Sequence, residues 1–216
     1  MRKLVVSTIM SLDGYVEGPD GDVMALPMDG FFDTHNLDRQ RAADTLLLGA
    51  TTYRVLKAYW PAVADDPTAS PAVAADPSVS ELHREIGRRN NELRKVVVSD
   101  SLGETDTAPW TATTTIVRRT DAHVAVAALK QRPGADILMF GSRTLWTDLL
   151  VTGLVDELYV MVGAAVLGGG TPAFGPGPVP PLHLLDVTRR KGSSNVLLRY
   201  AVGLADHGLG IGQSLL

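Results

Sequence analysis

Twice in this chain an unbroken apolar run stops at a glycine and passes directly into residues that can start a helix. The segments are Leu46-Leu47-Leu48-Gly49-Ala50-Thr51-Thr52-Tyr53 and Leu138-Met139-Phe140-Gly141-Ser142-Arg143-Thr144-Leu145. Short all-apolar runs fit strands buried on both faces, which occur where helices cover both sides of a parallel sheet. Helix N-termini leave backbone N–H groups unpaired and carry the positive end of the helix dipole, so they attract anions. Two such junctions at the carboxyl ends of strands can hold the two phosphates of a dinucleotide. On spacing alone, the competing reading is that the hydroxyls are helix caps and the glycines tight turns.

The rest of the chain supplies further elements of the same kind. Strands are expected at 3–10, 44–48, 95–98, 113–117, 136–140, 157–162, 182–190 and 195–202. The last two are joined by Lys191-Gly192-Ser193-Ser194, a hairpin signal. Helices are expected at 31–43 (weakly patterned, with Phe32, Leu37 and Ala43 inward), 51–59, 80–93, 121–130 and 143–151. The second should stop before Pro61, and Ser80 and Asp121 should cap the third and fourth. The stretch 61–79, rich in Ala, Pro, Asp and Ser, reads as a surface excursion. The charges of 80–93 read as a solvated face. Alternating strands and helices with a terminal hairpin imply an α/β fold, a mostly parallel sheet with an antiparallel edge. One domain over residues 1–202 is expected, followed by a C-terminal tail at 203–216, with no internal repeat.

Composition excludes several chemistries. The 216 residues include no cysteine, which removes disulfides, thiolate nucleophiles, iron–sulfur clusters and zinc deaminases of the H-x-E…P-C-x-x-C type. A net charge of −4 does not favour nucleic acid as a partner. The N-terminal M-R-K-L-V-V-S-T-I-M reads as a first strand rather than a signal peptide. No apolar stretch approaches the ~18 residues of a membrane span, so a cytoplasmic protein is expected.

Phosphate-loop, nucleophile-elbow and H-E-x-x-H motifs are lacking. The histidines at 35, 83, 123, 183 and 207 share no metal-ligand spacing; no metal is implied, and each is expected at the surface or at a helix cap. Gly168-Gly169-Gly170-Thr171-Pro172-Ala173 fits a relaxed G-x-G-x-x-A fingerprint, but Gly175-Pro176-Gly177-Pro178 behind it forbids the required helix. What remains is a glycine-rich loop that lets a ligand or another backbone approach closely.

Five motifs in order carry a resemblance: S-L-D-G-Y-V-E (11–17), L-L-L-G-A-T-T-Y-R-V-L…Y-W-P (46–61), K-V-V-V-S (95–99), I-L-M-F-G-S-R-T-L-W-T-D-L-L-V-T-G-L-V-D-E-L-Y (137–159) and V-L-G-G-G-T-P-A-F (166–174). Together they resemble the dihydrofolate-reductase-like family over about residues 1–202. More narrowly, they resemble the reductase domain of the bifunctional riboflavin-biosynthesis deaminase/reductase and its stand-alone relatives. The resemblance implies a three-layer α/β/α sandwich around a mixed, mostly parallel eight-stranded sheet. It also implies NADPH (NADH being possible) as cofactor, a pterin- or pyrimidine-like heterocycle as substrate, and a homodimer.

By the same resemblance Gly49, Thr51 and Thr52 meet cofactor phosphate, and Ser99 borders the adenosine half. Gly141, Ser142, Arg143 and Thr144 cradle the pyrophosphate, and Ile9 through Val16 wall the nicotinamide pocket. Asp33 is the nearest equivalent of the carboxylate that governs protonation in dihydrofolate reductases. Asp13 is a turn residue first and a substrate contact second, and Trp60 a packing residue that could stack on a heterocycle. Relatives commonly read G-R-x-T-Y where this chain has Gly49-Ala50-Thr51-Thr52-Tyr53. The arginine that partners the 2′-phosphate of NADPH is therefore missing, and Asp100 adds negative charge nearby. Arg118 or Arg119 is expected to substitute. The rival readings are an authentic dihydrofolate reductase, a nucleotide-binding protein without turnover, and a flavin-using protein.

Overall fold

The computed structural model describes residues 1–175 and 177–203. Along the chain run β1 (Leu4–Ser11), β2 (Tyr15–Glu17), α1 (Gly30–Ala42), β3 (Ala43–Gly49), α2 (Ala50–Asp65), α3 (Pro71–Ala75), α4 (Ser80–Glu92), β4 (Arg94–Val98) and β5 (Thr114–Val117). They are followed by α5 (Ala122–Gln131), β6 (Asp136–Phe140), α6 (Arg143–Val151), β7 (Glu157–Gly163), β8 (Thr171–Pro172), β9 (Leu182–Arg189) and β10 (Val196–Val202).

Eight strands form one sheet in the order β5-β4-β3-β6-β1-β7-β10-β9, with β10 antiparallel to both neighbours and the other pairs parallel. The α/β fold with its mixed, mostly parallel sheet stands as expected. Alternation along the buried strands gives the sheet two apolar faces. Leu46, Leu48, Ile9 and Met161 face one core with Phe31 of α1 and Tyr53 of α2. Leu47, Val6, Met139 and Val160 face the other, with Ala122 and Val126 of α5 and Trp146, Leu149 and Leu150 of α6. A further two-stranded ribbon, β2 with β8, has no counterpart in the sequence reading; a strand of two or three residues is too short to show a period.

From β3 the chain leaves through α2 toward β4. From β6, beside β3, it leaves on the opposite face through α6 toward β7. Adjacent strands whose connections diverge leave a crevice at their carboxyl ends, where α/β sheets bind ligands. Both glycine-terminated runs end at this crevice.

Four local expectations are corrected. Helix α2 does not stop before Pro61 but continues to Asp65. Proline there forfeits one backbone bond, while Val63 behind it is fully buried and α2 packs along α4, so packing outweighs the local break. Ser80 is not a cap: its backbone is already helical, and Asp76 caps the preceding turn by accepting from the Ser78 amide. Asp121 precedes α5 without capping it through its side chain. Helix α1 starts at Gly30, is capped by Asp29 on the Phe31 and Phe32 amides, and buries Phe31 rather than Phe32. The expected excursion 61–79 contributes buried Val73, Pro67 and Ser70. The expected tail at 203–216 lies almost entirely outside the described residues, as does His207. No described helix is long and apolar enough to cross a membrane.

Candidate active site at the switch between two strands

The two strand-to-helix junctions are tied to each other. Gly49 N–H donates to Ser142 Oγ at 2.9 Å, and Ser142 N–H donates to Thr52 Oγ1 at 2.9 Å. Gly49 and Ser142 hold the cap positions of α2 and α6, and neither caps its own helix with a side chain. The first-turn amides that follow are thus left to solvent or a ligand, as helix geometry dictates. Thr51, Gly141 and Thr144 are exposed; Gly49, Thr52, Ser142 and Arg143 are half-buried.

Positive dihedrals make the turn. Gly141 (φ +50°) and Ser142 (φ +54°) are both left-handed. A Cβ on Gly141 would lie 3.1 Å from Thr52 Oγ1, so glycine is required for conformation and space alike. Ser142 tolerates its strained backbone because its hydroxyl holds the opposite junction. Arg143 Nε is buried without a hydrogen-bond partner among the described residues, and a Cβ on Gly175 would lie 3.7 Å from the Arg143 guanidinium. An unpaired buried guanidinium nitrogen costs free energy unless an acceptor arrives.

One edge further, Ser99 is buried and accepts from the Ser101 and Leu102 amides, turning the chain after β4. Arg118 donates to the Ser99 carbonyl at 3.3 Å. Arg119 N–H donates to Asp100 Oδ1, and the guanidinium lies 3.8 Å from Oδ2, which offsets the negative charge of Asp100. The sequence reading missed Arg54, whose guanidinium reaches Ser101 Oγ at 3.4 Å. Its position one turn into α2 was the available signal, since residues four apart share a helix face.

The glycine-rich segment and the first turn form a second tied pair. Asp13 accepts from the Leu167 amide at 3.1 Å and from the Gly168 amide at 2.7 Å. The Ser11 hydroxyl and these amides lower its carboxyl to about 2. A side chain on Gly170 would collide with the Glu17 carbonyl, so the close approach these glycines permit is that of another strand. Ile9 points into the core beside α1, and Val16 is half-buried in β2.

Asp33 does not stand alone. Its Oδ2 lies 3.2 Å from His83 Nε2, His83 Nδ1 lies 3.0 Å from Ser70 Oγ, and Tyr59 donates to that hydroxyl at 2.8 Å. Trp60 packs against the His83 ring, centroids 6.1 Å apart. The order Asp–His–Ser invites comparison with a hydrolytic triad, but Ser70 is 0% exposed and no substrate can reach it. His83 and His35 are both buried, which corrects their expected surface or capping positions: each fills an internal gap and has a hydroxyl to bond. Nothing in the sequence links residues 33, 59, 70 and 83, because α1, α2, the cap of α3 and α4 each contribute one of them.

A sequence model described as the RibD C-terminal domain matches residues 2–198. The uncharacterized protein YyaP of Bacillus subtilis is 28% identical over 176 residues, 80% of each chain. Among solved structures, a pyrimidine reductase-like protein from Corynebacterium diphtheriae superposes with a TM-score of 0.59 at 17% identity, covering 94% of this chain and 93% of that one. The Thermotoga maritima diaminohydroxyphosphoribosylaminopyrimidine deaminase/5-amino-6-(5-phosphoribosylamino)uracil reductase gives 0.61 at 15% identity, covering 93% of this chain and 56% of that one. These likenesses bear on the fold, and the match along residues 2–198 bears on descent: the chain belongs to the RibD C-terminal domain family.

Proposed function

We propose that the protein is an NADPH-dependent reductase that delivers hydride to a small, flat nitrogen heterocycle of pterin or pyrimidine type. The observation that carries this reading is the pair of helix N-termini locked by the Gly49–Ser142 and Ser142–Thr52 hydrogen bonds, with the unpartnered Arg143 Nε beside them. The crevice suits a pyrophosphate: two sets of free amides, a glycine that leaves the approach open, and a guanidinium that adds full charge. Thr51, Thr144 and the amides of both first turns would bind phosphate oxygens, while Thr52 and Ser142 keep the two turns in register. Arg54 and Arg118, beside Ser99 and Ser101, would take the 2′-phosphate in lieu of the arginine absent at position 50.

A reduced nicotinamide brings hydride donation; the chain's own residues position the partners and manage the proton. Asp13 fixes the 9–16 segment that would wall the nicotinamide side. Asp33, oriented by His83, would protonate the substrate directly or through an ordered water, and Trp60 would lie along the same wall. Most of the rate would come from holding donor and acceptor in contact. The family membership and the reductases named above support this reading.

A thermal-shift series with NADPH, NADH and flavin nucleotides tests it. NADPH at one hundred times its Kd should add ~2.7 kcal/mol of stability, and NADPH oxidation should then respond to a panel of heterocycles. No stabilisation by either nicotinamide nucleotide at millimolar concentration overturns the assignment.

A further inference from the structure

On the α1 side of the sheet, beyond β1, α1 packs on Tyr159 of β7 through His35 and Arg39. A cavity of about 350 Å³ opens there, lined by Phe31, Thr34, Asp38 and Arg39 of α1, Tyr159 of β7 and the arginines 189, 190 and 199, among others. It shares no residue with the crevice between β3 and β6.

Its charge is unbalanced. Arg199 is paired with Glu157 at 2.9 Å, and Asp38 lies 3.4 Å from Arg41, which is itself held by Glu85 at 2.6 Å. Asp186 accepts from the Thr188 hydroxyl at 2.6 Å. Among the described residues, Arg39, Arg189 and Arg190 have no carboxylate within ion-pair distance. Four arginines and two acids, Asp38 and Asp186, line the cavity, an excess of two positive charges.

Arg39 and Arg199 are held in place at the floor of the cavity, while Arg189 and Arg190 stand exposed at its rim. Arg39 donates to the Tyr159 hydroxyl at 3.0 Å, and its guanidinium sits 4.9 Å from that ring's centroid, with Arg199 5.5 Å from the same centroid. Arg39 Nε is buried without a partner among the described residues. Arg190 lies 5.8 Å from the centre of the Phe31 ring. The turn that carries it is anchored to the start of α1 through Ser193 and Asp29 at 2.5 Å and through Asn195 and the Pro27 carbonyl at 2.7 Å. Beneath them His35, at hydrogen-bond distance from Ser7, is lowered to about 4 by burial and by Arg39, so it adds no charge at neutral pH.

Preorganised guanidiniums with an unmet donor recognise a tetrahedral dianion. The volume, within the ~300–1,000 Å³ range of small-molecule pockets, and the apolar wall of Phe31 and Leu197 leave room for what the dianion is attached to. We propose that this cavity is a second ligand site, separate from the crevice, that binds a phosphate monoester carried on a flat or apolar group.

Titration calorimetry of the full chain with phenyl phosphate and inorganic phosphate tests the assignment. Phenyl phosphate should bind, and more tightly than inorganic phosphate. Arg190→Ala, an exposed position whose loss leaves the fold intact, should weaken it about tenfold, as should Arg39→Lys, which keeps the charge but loses the fork. Arg143→Ala should leave this binding within twofold while weakening NADPH, which keeps the outcome independent of the reductase reading. The proposal is overturned by phenyl phosphate binding that follows Arg143 instead of Arg39 and Arg190, by equal affinity for inorganic phosphate, or by no binding at all. It is also overturned if Arg190→Ala converts a dimer to monomers, because the face is then a subunit interface.

Discussion

At the crevice between β3 and β6, positive potential comes from peptide groups: two helix N-termini held in register by Ser142 and Thr52, with Arg143 as the one formal charge. Over β7 and β10 it comes from side chains, with arginines from α1, β10 and the hairpin turn propped on Phe31 and Tyr159. The materials differ, and so does what substitution does. A backbone site depends on dihedral angles, so damage there reaches stability and binding together. A side-chain site can lose an arginine and keep its fold.

The largest effect is expected where conformation is least negotiable. Gly141→Val forces a β-branched residue to φ +50° and drives its Cβ toward Thr52. It should cost about 3–4 kcal/mol in denaturant unfolding and abolish NADPH-dependent stabilisation. Retained NADPH binding in a folded Gly141→Val protein would break the contrast between backbone and side-chain sites.

The second expectation separates the two regions by pH. His35, beneath the arginine cavity, titrates at about 4 against about 6.5 unfolded. Between these values the unfolded chain holds a proton that the folded chain refuses, so stability is full above pH 6.5 and is lost as the pH falls toward 4. The expected loss is about 3 kcal/mol, and His35→Gln should flatten it. A bound phosphate monoester, chiefly a monoanion at the acid end of this range, should also flatten it by raising the histidine toward its usual value. Urea midpoints from pH 4 to 7, with and without phenyl phosphate, measure both effects.

Ser142→Ala is smaller. It strands the Gly49 amide and leaves the left-handed backbone uncompensated, for about 1–2 kcal/mol and a roughly tenfold weaker NADPH complex. Ser142→Gly loses the same hydrogen bond but relieves the dihedral, so it should fall between Ala and wild type. If Gly and Ala are equally destabilised, the hydroxyl alone matters and the strain at φ +54° is immaterial.

The same contrast explains what the sequence could disclose. Gly49, Thr51, Thr52, Gly141, Ser142, Arg143 and Thr144 lie within a few positions of the ends of two apolar runs, so a local pattern marks each junction, and the pairing of β3 with β6 brings the two together. The mostly parallel sheet and its antiparallel edge followed from alternating strands and helices and from the hairpin at 191–194, whereas the strand order did not. The arginine cavity and the Tyr59–Ser70–His83–Asp33 chain have no local signature. Their members are spaced by tens of residues and meet only through packing of α1 on α4 and of β10 on β7. Pro61 was misread in the opposite sense: its local signal is strong, and the burial of Val63 against the core overrides it. Asp13 was legible as a turn residue, but not as the clamp on a loop more than 150 positions away.

The smallest expected effect lies at the seam between the two kinds of site, where side chains finish what the crevice begins. The residue after Gly49 is Ala50, so any discrimination between NADPH and NADH must come from Arg54, Arg118 and Arg119 around the Ser99–Ser101 turn. Arg119 is already bonded to Asp100, which leaves Arg54 and Arg118 to meet a 2′-phosphate. A single exposed charge-assisted contact of this sort is worth about 1.4 kcal/mol, a tenfold change in affinity. Arg118→Ala should therefore lower the NADPH/NADH affinity ratio by about tenfold, with NADH binding and thermal stability unchanged. Arg54→Ala combined with it should bring the ratio near one, and Asp100→Asn should raise it by freeing Arg119. Equal affinities for the two nucleotides in the wild-type protein, unmoved by the double substitution of Arg118 and Arg119, would mean that the crevice reads only the pyrophosphate and that these arginines serve the β4–β5 turn alone.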